Sequence, residues 1–184
     1  MSVQILRRHF NVAEYYRMME AGILSESDHV ELIDGEVIEM SPIGSRHAAC
    51  VDRLNKLLNK LDQVIVRVQN PIRLDDFSEP QPDITLLRAR DDFYAQGHPL
   101  PSDVLLVIEV ADSSTEFDRA VKLPLYAEAL IAEFWLVNLP DEKIELFSHP
   151  SSGSYQESME FKRGDNVTSM TISGLSLGVD AILG

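Results

Sequence analysis

A single glutamate interrupts a run of residues that otherwise has the composition of a buried β-strand. Residues 104–111 are apolar except for Glu109. Burying a carboxylate costs several kcal/mol unless the group is paired, protonated or bound to a metal ion. Such a conflict between residue type and local pattern is typical of functional sites. Glu109 is therefore the first candidate for a functional residue.

Two further charged residues lie on either side of this strand in the sequence. Pro82-Asp83 leads into a second apolar run, residues 84–87, and Lys122 lies in a predicted helix after the Glu109 strand. If the two strands are neighbours, the carboxylates of Asp83 and Glu109 meet at one edge of the sheet. Hard oxygen ligands of this kind bind Mg²⁺, and a bound ion is suited to phosphodiester hydrolysis.

Lys122 and Glu31 complete the predicted site. A cation must position the attacking water or stabilise the charge that develops on the phosphate, and Lys122 is the candidate for this role. Glu31 lies in a predicted hairpin strand, where it could be a further metal ligand or a base close to the ion.

Each of these residues also has a purely structural interpretation. Asp83 follows a proline, a pair that is common in turns, and Glu109 could form a buried salt bridge or be exposed on an edge strand. Lys122 could be solvated on its helix, and Glu31 could face outward. His47 lies on the apolar side of a predicted helix, where a histidine is more often a core residue than a catalyst.

Capping and turn signals predict the elements near the start of the chain. Asn11 and Glu14 fit a capping box, and the helix that they begin is expected to end at Gly22. Two β-prone runs on either side of Asp34-Gly35 predict a hairpin.

Apolar periodicity predicts the remaining elements. Helices are expected over residues 45–61 and 116–129, the second with Thr115 and Asp118 as a capping box and a kink at Pro124. Strands are expected over residues 64–69, 134–137, 143–147, 155–161 and 168–172. The chain has no repeat or linker, so residues 1–184 are predicted to form one α/β domain with a mixed sheet.

The composition indicates the cellular compartment in which the protein is found. The one cysteine, Cys50, cannot form an internal disulfide, which favours a reducing compartment. No apolar run approaches the roughly 18 residues that span a bilayer, and the first eight residues lack the pattern of a signal peptide. We expect a cytoplasmic protein without a membrane partner.

Charge gives conflicting indications about a nucleic-acid partner. The net charge of −14 and the pI near 4.6 argue against one, because nucleic-acid binding usually needs a basic surface. The one grouped basic surface is a flank of the helix over residues 45–61. We call it the basic flank, and it consists of Arg46, Arg53, Lys56 and Lys60. It could follow a nucleic-acid backbone, or be a solvated helix face whose charges pair with nearby acids.

Several short motifs together resemble a known family. They are residues 31–36, Ser41-Pro42 followed by His47, Pro82-Asp83-Ile84, residues 107–110, Ser113-Ser114-Thr115 with Asp118, Lys122 and Tyr126, and residues 133–137. From about residue 9 to the end, the chain resembles bacterial proteins of the restriction-endonuclease-like, PD-(D/E)xK nuclease superfamily.

This resemblance implies a fold, a cofactor and a set of roles. The fold would be a restriction-endonuclease-like mixed β-sheet flanked by helices, and the protein would be a homodimer with a site for Mg²⁺ or Mn²⁺. Asp83 and Glu109 match the metal-binding acids, Glu31 the upstream acid and Lys122 the lysine. The usual E-x-K spacing would place a lysine where this chain has Ala111, so the ammonium must come from the next helix.

The leading interpretation is a Mg²⁺-dependent endonuclease acting on DNA. Glu31, Asp83 and Glu109 would hold the ion, and the basic flank with His47 would contact the nucleic acid. Two alternatives remain open. One is a catalytically silent module that kept the fold and binds a protein or nucleic-acid partner. The other is a metal-dependent hydrolase of small phosphoesters, which would suit the acidic surface better.

Overall fold

The computed structural model describes residues 7–25 and 27–184, in which short helices alternate with strands. The helices are α1 (Val12–Glu20), α2 (Ser45–Leu58), α3 (Thr115–Phe117), α4 (Leu123–Glu128) and α5 (Val179–Leu183), with a π-helical turn (Asp118–Lys122) between α3 and α4 and a 3₁₀ turn at Pro101–Asp103. The strands are β1 (Val30–Ile33), β2 (Glu36–Glu39), β3 (Val64–Val68), β4 (Ile84–Arg88), β5 (Val104–Ala111), β6 (Glu133–Asn138), β7 (Lys143–Ser151), β8 (Ser154–Lys162), β9 (Asn166–Thr168) and β10 (Ser176–Gly178).

Six of these strands form one mixed sheet in the order β3-β4-β5-β6-β7-β8. Strands β5 and β6 are parallel, and the other neighbouring pairs are antiparallel. A parallel pair needs a crossover connection, and here the crossover carries α3, the π-helical turn with Lys122, and α4. The arrangement confirms the predicted α/β class with a mixed sheet flanked by helices.

Alternation along β5 decides which way Glu109 faces. Ile108 and Val110 belong to the core on one face of the sheet, which α2 covers. Val107 and Ala111 belong to the core on the other face, which α4 covers. Because successive side chains of a strand point to opposite faces, Glu109 shares the face of Val107 and Ala111. The acid therefore faces the crossover helix that carries the predicted lysine.

The local signals near the start of the chain predicted its structure correctly. Asn11 accepts the Glu14 backbone N–H at 2.8 Å, and the Glu14 carboxylate accepts the Asn11 N–H at 3.0 Å, which completes the capping box. Asp34 and Gly35 have φ values of 49° and 77° and join β1 to β2. A side chain at Gly35 would also collide with His9, whose Cβ would lie 2.6 Å from the added carbon.

The crossover helix differs from its prediction. The Thr115–Asp118 capping box is wrong, because Asp118 is buried and accepts the hydroxyl of Ser114 at 2.6 Å. The expected irregularity near Pro124 takes the form of the π-helical turn, with Pro124 in the first turn of α4. Proline has no backbone N–H to donate, so a regular α-helical ladder cannot continue through this point.

The predicted strand over residues 168–172 is also wrong beyond Thr168. The chain instead wraps around the buried carboxylate of Glu133, whose Oε2 accepts the backbone N–H groups of Met170 and Thr171 at 3.0 and 2.9 Å. The hydroxyls of Ser169 and Thr171 donate to the same atom at 2.8 Å each. The backbone N–H groups of this segment are therefore committed to a side chain rather than to a strand. The helix predicted over residues 45–61 ends earlier as well, at Leu58.

Candidate active site

Glu109 is buried and is held by three donors. Its Oε1 accepts the Lys122 ammonium at 3.0 Å and the Tyr126 hydroxyl at 2.7 Å, and its Oε2 accepts the backbone N–H of Asp83 at 3.2 Å. Burial raises the pKa of Glu109 to about 8, against the opposing attraction of Lys122. The apolar strand thus contains an acid that accepts hydrogen bonds on both oxygens and whose pKa is raised to about 8.

Lys122 is the cation of the site and is itself buried, with 6% of its surface exposed. Its Nζ lies 3.0 Å from Glu109 and 3.4 Å from Oε1 of Glu31. Burial alone would lower the pKa of Lys122, but the carboxylates of Glu109, Glu31 and Asp118 outweigh this effect and raise it. The ammonium therefore stays charged.

Glu31 and Asp118 complete the acidic surroundings of the lysine. Glu31 is buried on β1, and its Oε2 accepts the backbone N–H of Gln81 at 3.0 Å, which ties the hairpin to the segment before β4. Asp118 lies on the π-helical turn, where burial raises its pKa. Such turns interrupt helices frequently at functional sites, and this one carries both Asp118 and Lys122.

Asp83 lies beside Glu109 at the start of β4. Its Oδ2 accepts the backbone N–H of Val110 at 2.9 Å and lies 2.9 Å from Nε2 of His47. Its Oδ1 lies 3.3 Å from the side-chain amide of Gln69. The expectation that Asp83 and Glu109 meet at one edge of the sheet agrees with this geometry, since the strands β4 and β5 are neighbours.

His47 faces inward from the first turn of α2, as its position on the helix predicts. The hydrogen bond to Asp83 raises the pKa of His47. Its Nδ1 is buried and has no hydrogen-bond partner among the described residues. His47 is thus engaged with the site acid, and 15% of its side chain is exposed.

Comparison with known proteins identifies the family. A family model described as "Uma2: Putative restriction endonuclease" matches residues 12–180. The chain belongs to the Uma2 family. This membership confirms the resemblance to restriction-endonuclease-like proteins, which generally use divalent metal ions. No curated protein matches the chain.

A solved structure shares the fold of this Uma2 protein. It is described as "a putative nuclease belonging to DUF820 from Anabaena variabilis ATCC 29413" and aligns with a TM-score of 0.69 over 95% of this chain and 97% of that chain. At 16% sequence identity, the likeness confirms the fold alone. Within the described residues, the helices are too short or too polar to cross a membrane.

The predicted metal ligands of the Uma2 chain fit an ion in part. In residues 7–25 and 27–184, no three His, Cys, Asp or Glu side chains form a group that could hold a metal ion. The set of Glu31, Asp83 and Glu109 is not assembled as predicted, because the Lys122 ammonium lies between Glu31 and Glu109. Asp83 and Glu109 remain adjacent. Two carboxylates with water and substrate phosphates are enough for Mg²⁺.

The basic flank is only partly available to a nucleic acid. Arg46 contacts Asp112 at 3.3 Å and the carbonyl of Leu139 at 3.2 Å, and Arg53 donates to the carbonyl of Ile182 at 3.4 Å. In the described part of the chain, Lys56 and Lys60 form no salt bridge, and both are exposed. The pairing interpretation therefore applies to Arg46, whereas the two lysines stay free.

Three residues that contact or approach the site were not predicted as site residues. Tyr126 and Asp118 entered the sequence analysis only as part of the family motif and, for Asp118, as a helix cap, and Gln81 had no predicted role. Tyr126 and Asp118 each lie four residues from Lys122, so all three share one side of a helix. That spacing was the signal that could have found them. Gln81 contacts Glu31 through its backbone N–H. Because almost every residue type has such a group, the sequence contains no signal for this contact.

Proposed function

We propose that this Uma2 protein is a divalent-metal-dependent endonuclease that hydrolyses phosphodiester bonds in DNA, with Mg²⁺ as its ion and Mn²⁺ as a substitute. One observation carries the proposal: the buried Lys122 ammonium lies 3.0 Å from Glu109, which is next to Asp83. A protein has little structural reason to gather these charges in its interior, since a buried ion pair is a poor source of stability.

Each side chain has a distinct role in the proposed reaction. Asp83 and Glu109 would hold the ion, and a bound ion polarises the phosphate and lowers the pKa of its water. Lys122 stabilises the charge that develops on the phosphate, with an effect that burial strengthens. Glu31 and Asp118 keep the lysine protonated and oriented.

The contacts with DNA would come from the free part of the basic flank. Lys56 and Lys60 are exposed and would contact the phosphate backbone of the DNA. Arg46 and Arg53 would contact it too if their present hydrogen bonds within the protein break. His47 contributes through Asp83 instead. Because the net charge is −14, the affinity for DNA is expected to be low and to fall steeply with salt.

A set of cleavage assays tests the proposal. Single-stranded, double-stranded and supercoiled DNA are incubated with Mg²⁺ or Mn²⁺ and with Asp83→Asn, Glu109→Gln or Lys122→Met. We expect cleavage by the natural protein and its loss in each variant. Exposed residues of the same types supply matched controls, Asp91→Asn, Glu157→Gln and Lys162→Met, which should cleave normally. Unchanged cleavage by Glu109→Gln would refute the mechanism.

A hydrolase of small phosphoesters is the second candidate function. The acidic charge and the contacts that engage Arg46 and Arg53 favour it, because a small substrate needs no long basic surface. A chromogenic phosphodiester assayed beside DNA separates the two candidates. If neither substrate is cleaved and calorimetry detects no metal binding, the silent binding module becomes the better explanation.

Two properties stay predictions: the homodimer, which the family resemblance implies, and the cytoplasmic location, which the composition favours. Light scattering on the purified protein measures the first, and fractionation of the cells that produce it measures the second.

A further inference from the structure

Tyr126 is a buried tyrosine to which the proposed reaction gives no role. It lies on α4, four residues after Lys122, and none of its surface is exposed. Its ring packs against Phe134, with 5.4 Å between the ring centroids. Its hydroxyl donates to Oε1 of Glu109 at 2.7 Å, and a tyrosine hydroxyl ordinarily keeps its proton at neutral pH. The group is therefore a hydrogen-bond donor inside the site.

The two oxygens of Glu109 have different environments. Oε1 accepts two hydrogen bonds, from Tyr126 at 2.7 Å and from Lys122 at 3.0 Å. Among the described residues, Oε2 accepts only the backbone N–H of Asp83, at a longer 3.2 Å. Because a carboxylate is planar and rigid, fixing Oε1 also fixes the direction of Oε2. Oε2, the oxygen with fewer hydrogen bonds, is the one that lies beside Asp83.

The two donors to Oε1 are not equivalent. The Lys122 ammonium ends a flexible chain and also lies 3.4 Å from Glu31, so it can exchange partners. The Tyr126 hydroxyl is attached to a ring that the core holds in place. When Lys122 turns toward a phosphate, as the proposed reaction requires, Tyr126 is the donor that still holds Oε1.

We propose that Tyr126 is a positioning residue that anchors Oε1 of Glu109 and thereby presents Oε2, beside Asp83, to a divalent cation. The inference rests on the proposed function, because it assumes that Asp83 and Glu109 bind the ion. Groups that orient a metal ligand commonly change metal affinity or activity by about 10–100-fold when removed.

Calorimetry with Mn²⁺ alone, without DNA, tests this role. Tyr126→Phe removes only the hydroxyl and keeps the ring. We expect Tyr126→Phe to bind Mn²⁺ about 10–100-fold more weakly than the natural protein. Tyr155→Phe is the matched control, since Tyr155 is a partly buried tyrosine whose hydroxyl donates to the carbonyl of Ile131 at 2.9 Å. The control should bind Mn²⁺ as the natural protein does.

Two further measurements separate positioning from a general structural role. In cleavage assays, Tyr126→Phe should lower kcat at a fixed Mn²⁺ concentration with KM for DNA unchanged, and added Mn²⁺ should restore the rate. In the Glu109→Gln variant, adding Tyr126→Phe should cause no further loss of Mn²⁺ binding, because both substitutions act through the Glu109 carboxylate.

The outcomes distinguish this inference from the proposed function. If the natural protein binds Mn²⁺ and Tyr126→Phe binds it equally well, Tyr126 has no positioning role and the nuclease proposal stands. If the natural protein binds no Mn²⁺, both are overturned. If Tyr126→Phe fails to fold while Tyr155→Phe folds, the hydroxyl serves the fold, and the inference is overturned.

Discussion

Asp83 and Glu109 are each held by the backbone beside the other. The N–H of Asp83 donates to Oε2 of Glu109 at 3.2 Å, and the N–H of Val110, the residue after Glu109, donates to Oδ2 of Asp83 at 2.9 Å. This exchange links the start of β4 to the end of β5 and does not involve Lys122. The two acids are thus set side by side by the sheet itself.

The exchange predicts different effects for two substitutions of Asp83. Asp83→Asn keeps an oxygen for the Val110 N–H, so we expect the free energy of unfolding to change by less than about 1 kcal/mol while metal binding is lost. Asp83→Ala leaves that buried N–H without its partner and should cost about 1–3 kcal/mol. Urea unfolding measures both variants. Equal losses of stability would show that the Asp83 side chain does not hold β5.

Replacing the lysine should destabilise the fold in a manner that depends on pH. Lys122→Met leaves Glu31, Glu109 and Asp118 without their cation, and removing one partner of a buried ion pair costs about 3–5 kcal/mol. The loss should be largest near pH 8 and smaller near pH 5, where Glu109, whose pKa is raised to about 8, carries a proton. Chemical denaturation at both pH values measures it. The exposed Lys162→Met should change stability by about 0.5 kcal/mol or less.

Glu109 should make the metal-free protein less stable as the pH rises. Its pKa is about 8 in the folded protein against an ordinary 4.5, so between these values the folded state holds a proton that the unfolded state has released. This contribution is fully present below about pH 4.5 and is lost as the pH rises to about 8. Glu109→Gln cannot titrate and should show a flatter profile. The measurement is Tm of both proteins from pH 5 to 8. If Tm of the natural protein and of Glu109→Gln changes with pH in parallel, the prediction is contradicted.

A second buried acid should behave as a structural residue only. Glu133 accepts the indole N–H of Trp135 at 2.7 Å and the donors of residues 169–171, and in the described part of the chain Lys122 pairs with Glu31 and Glu109 instead. Glu133→Gln places an amide NH₂ against either the Trp135 indole N–H or the backbone N–H groups of Met170 and Thr171, which can only donate, and should lower the free energy of unfolding by about 3 kcal/mol. Mn²⁺ binding, measured on the folded fraction, should not change. Weaker binding by this variant would mean that the site extends farther than Glu109 and its neighbours.

The predictions that succeeded depend on hydrogen bonds between residues that are close in sequence. The capping box of Asn11 and the turn at Asp34-Gly35 were predictable because their hydrogen bonds join residues close in sequence. The strand predicted over residues 168–172 failed because its backbone donors serve Glu133, more than thirty residues away along the chain. The capping box of Thr115 and Asp118 failed for a local reason: Thr115 is already the first residue of α3, and the buried Asp118 carboxylate accepts the hydroxyl of Ser114.

The sequence by itself determined that Glu109 needed an explanation, since an acid in an apolar strand is costly wherever the strand lies. It also indicated, with the family resemblance, that Asp83, Lys122 and Glu31 belong to the same site. Only the tertiary structure decided how these residues meet: Lys122 lies between Glu31 and Glu109, Tyr126 holds one oxygen of Glu109, and His47 is engaged with Asp83. The physical reason is that residue patterns record burial and local geometry, whereas the partners of a buried charge depend on how distant elements pack around it.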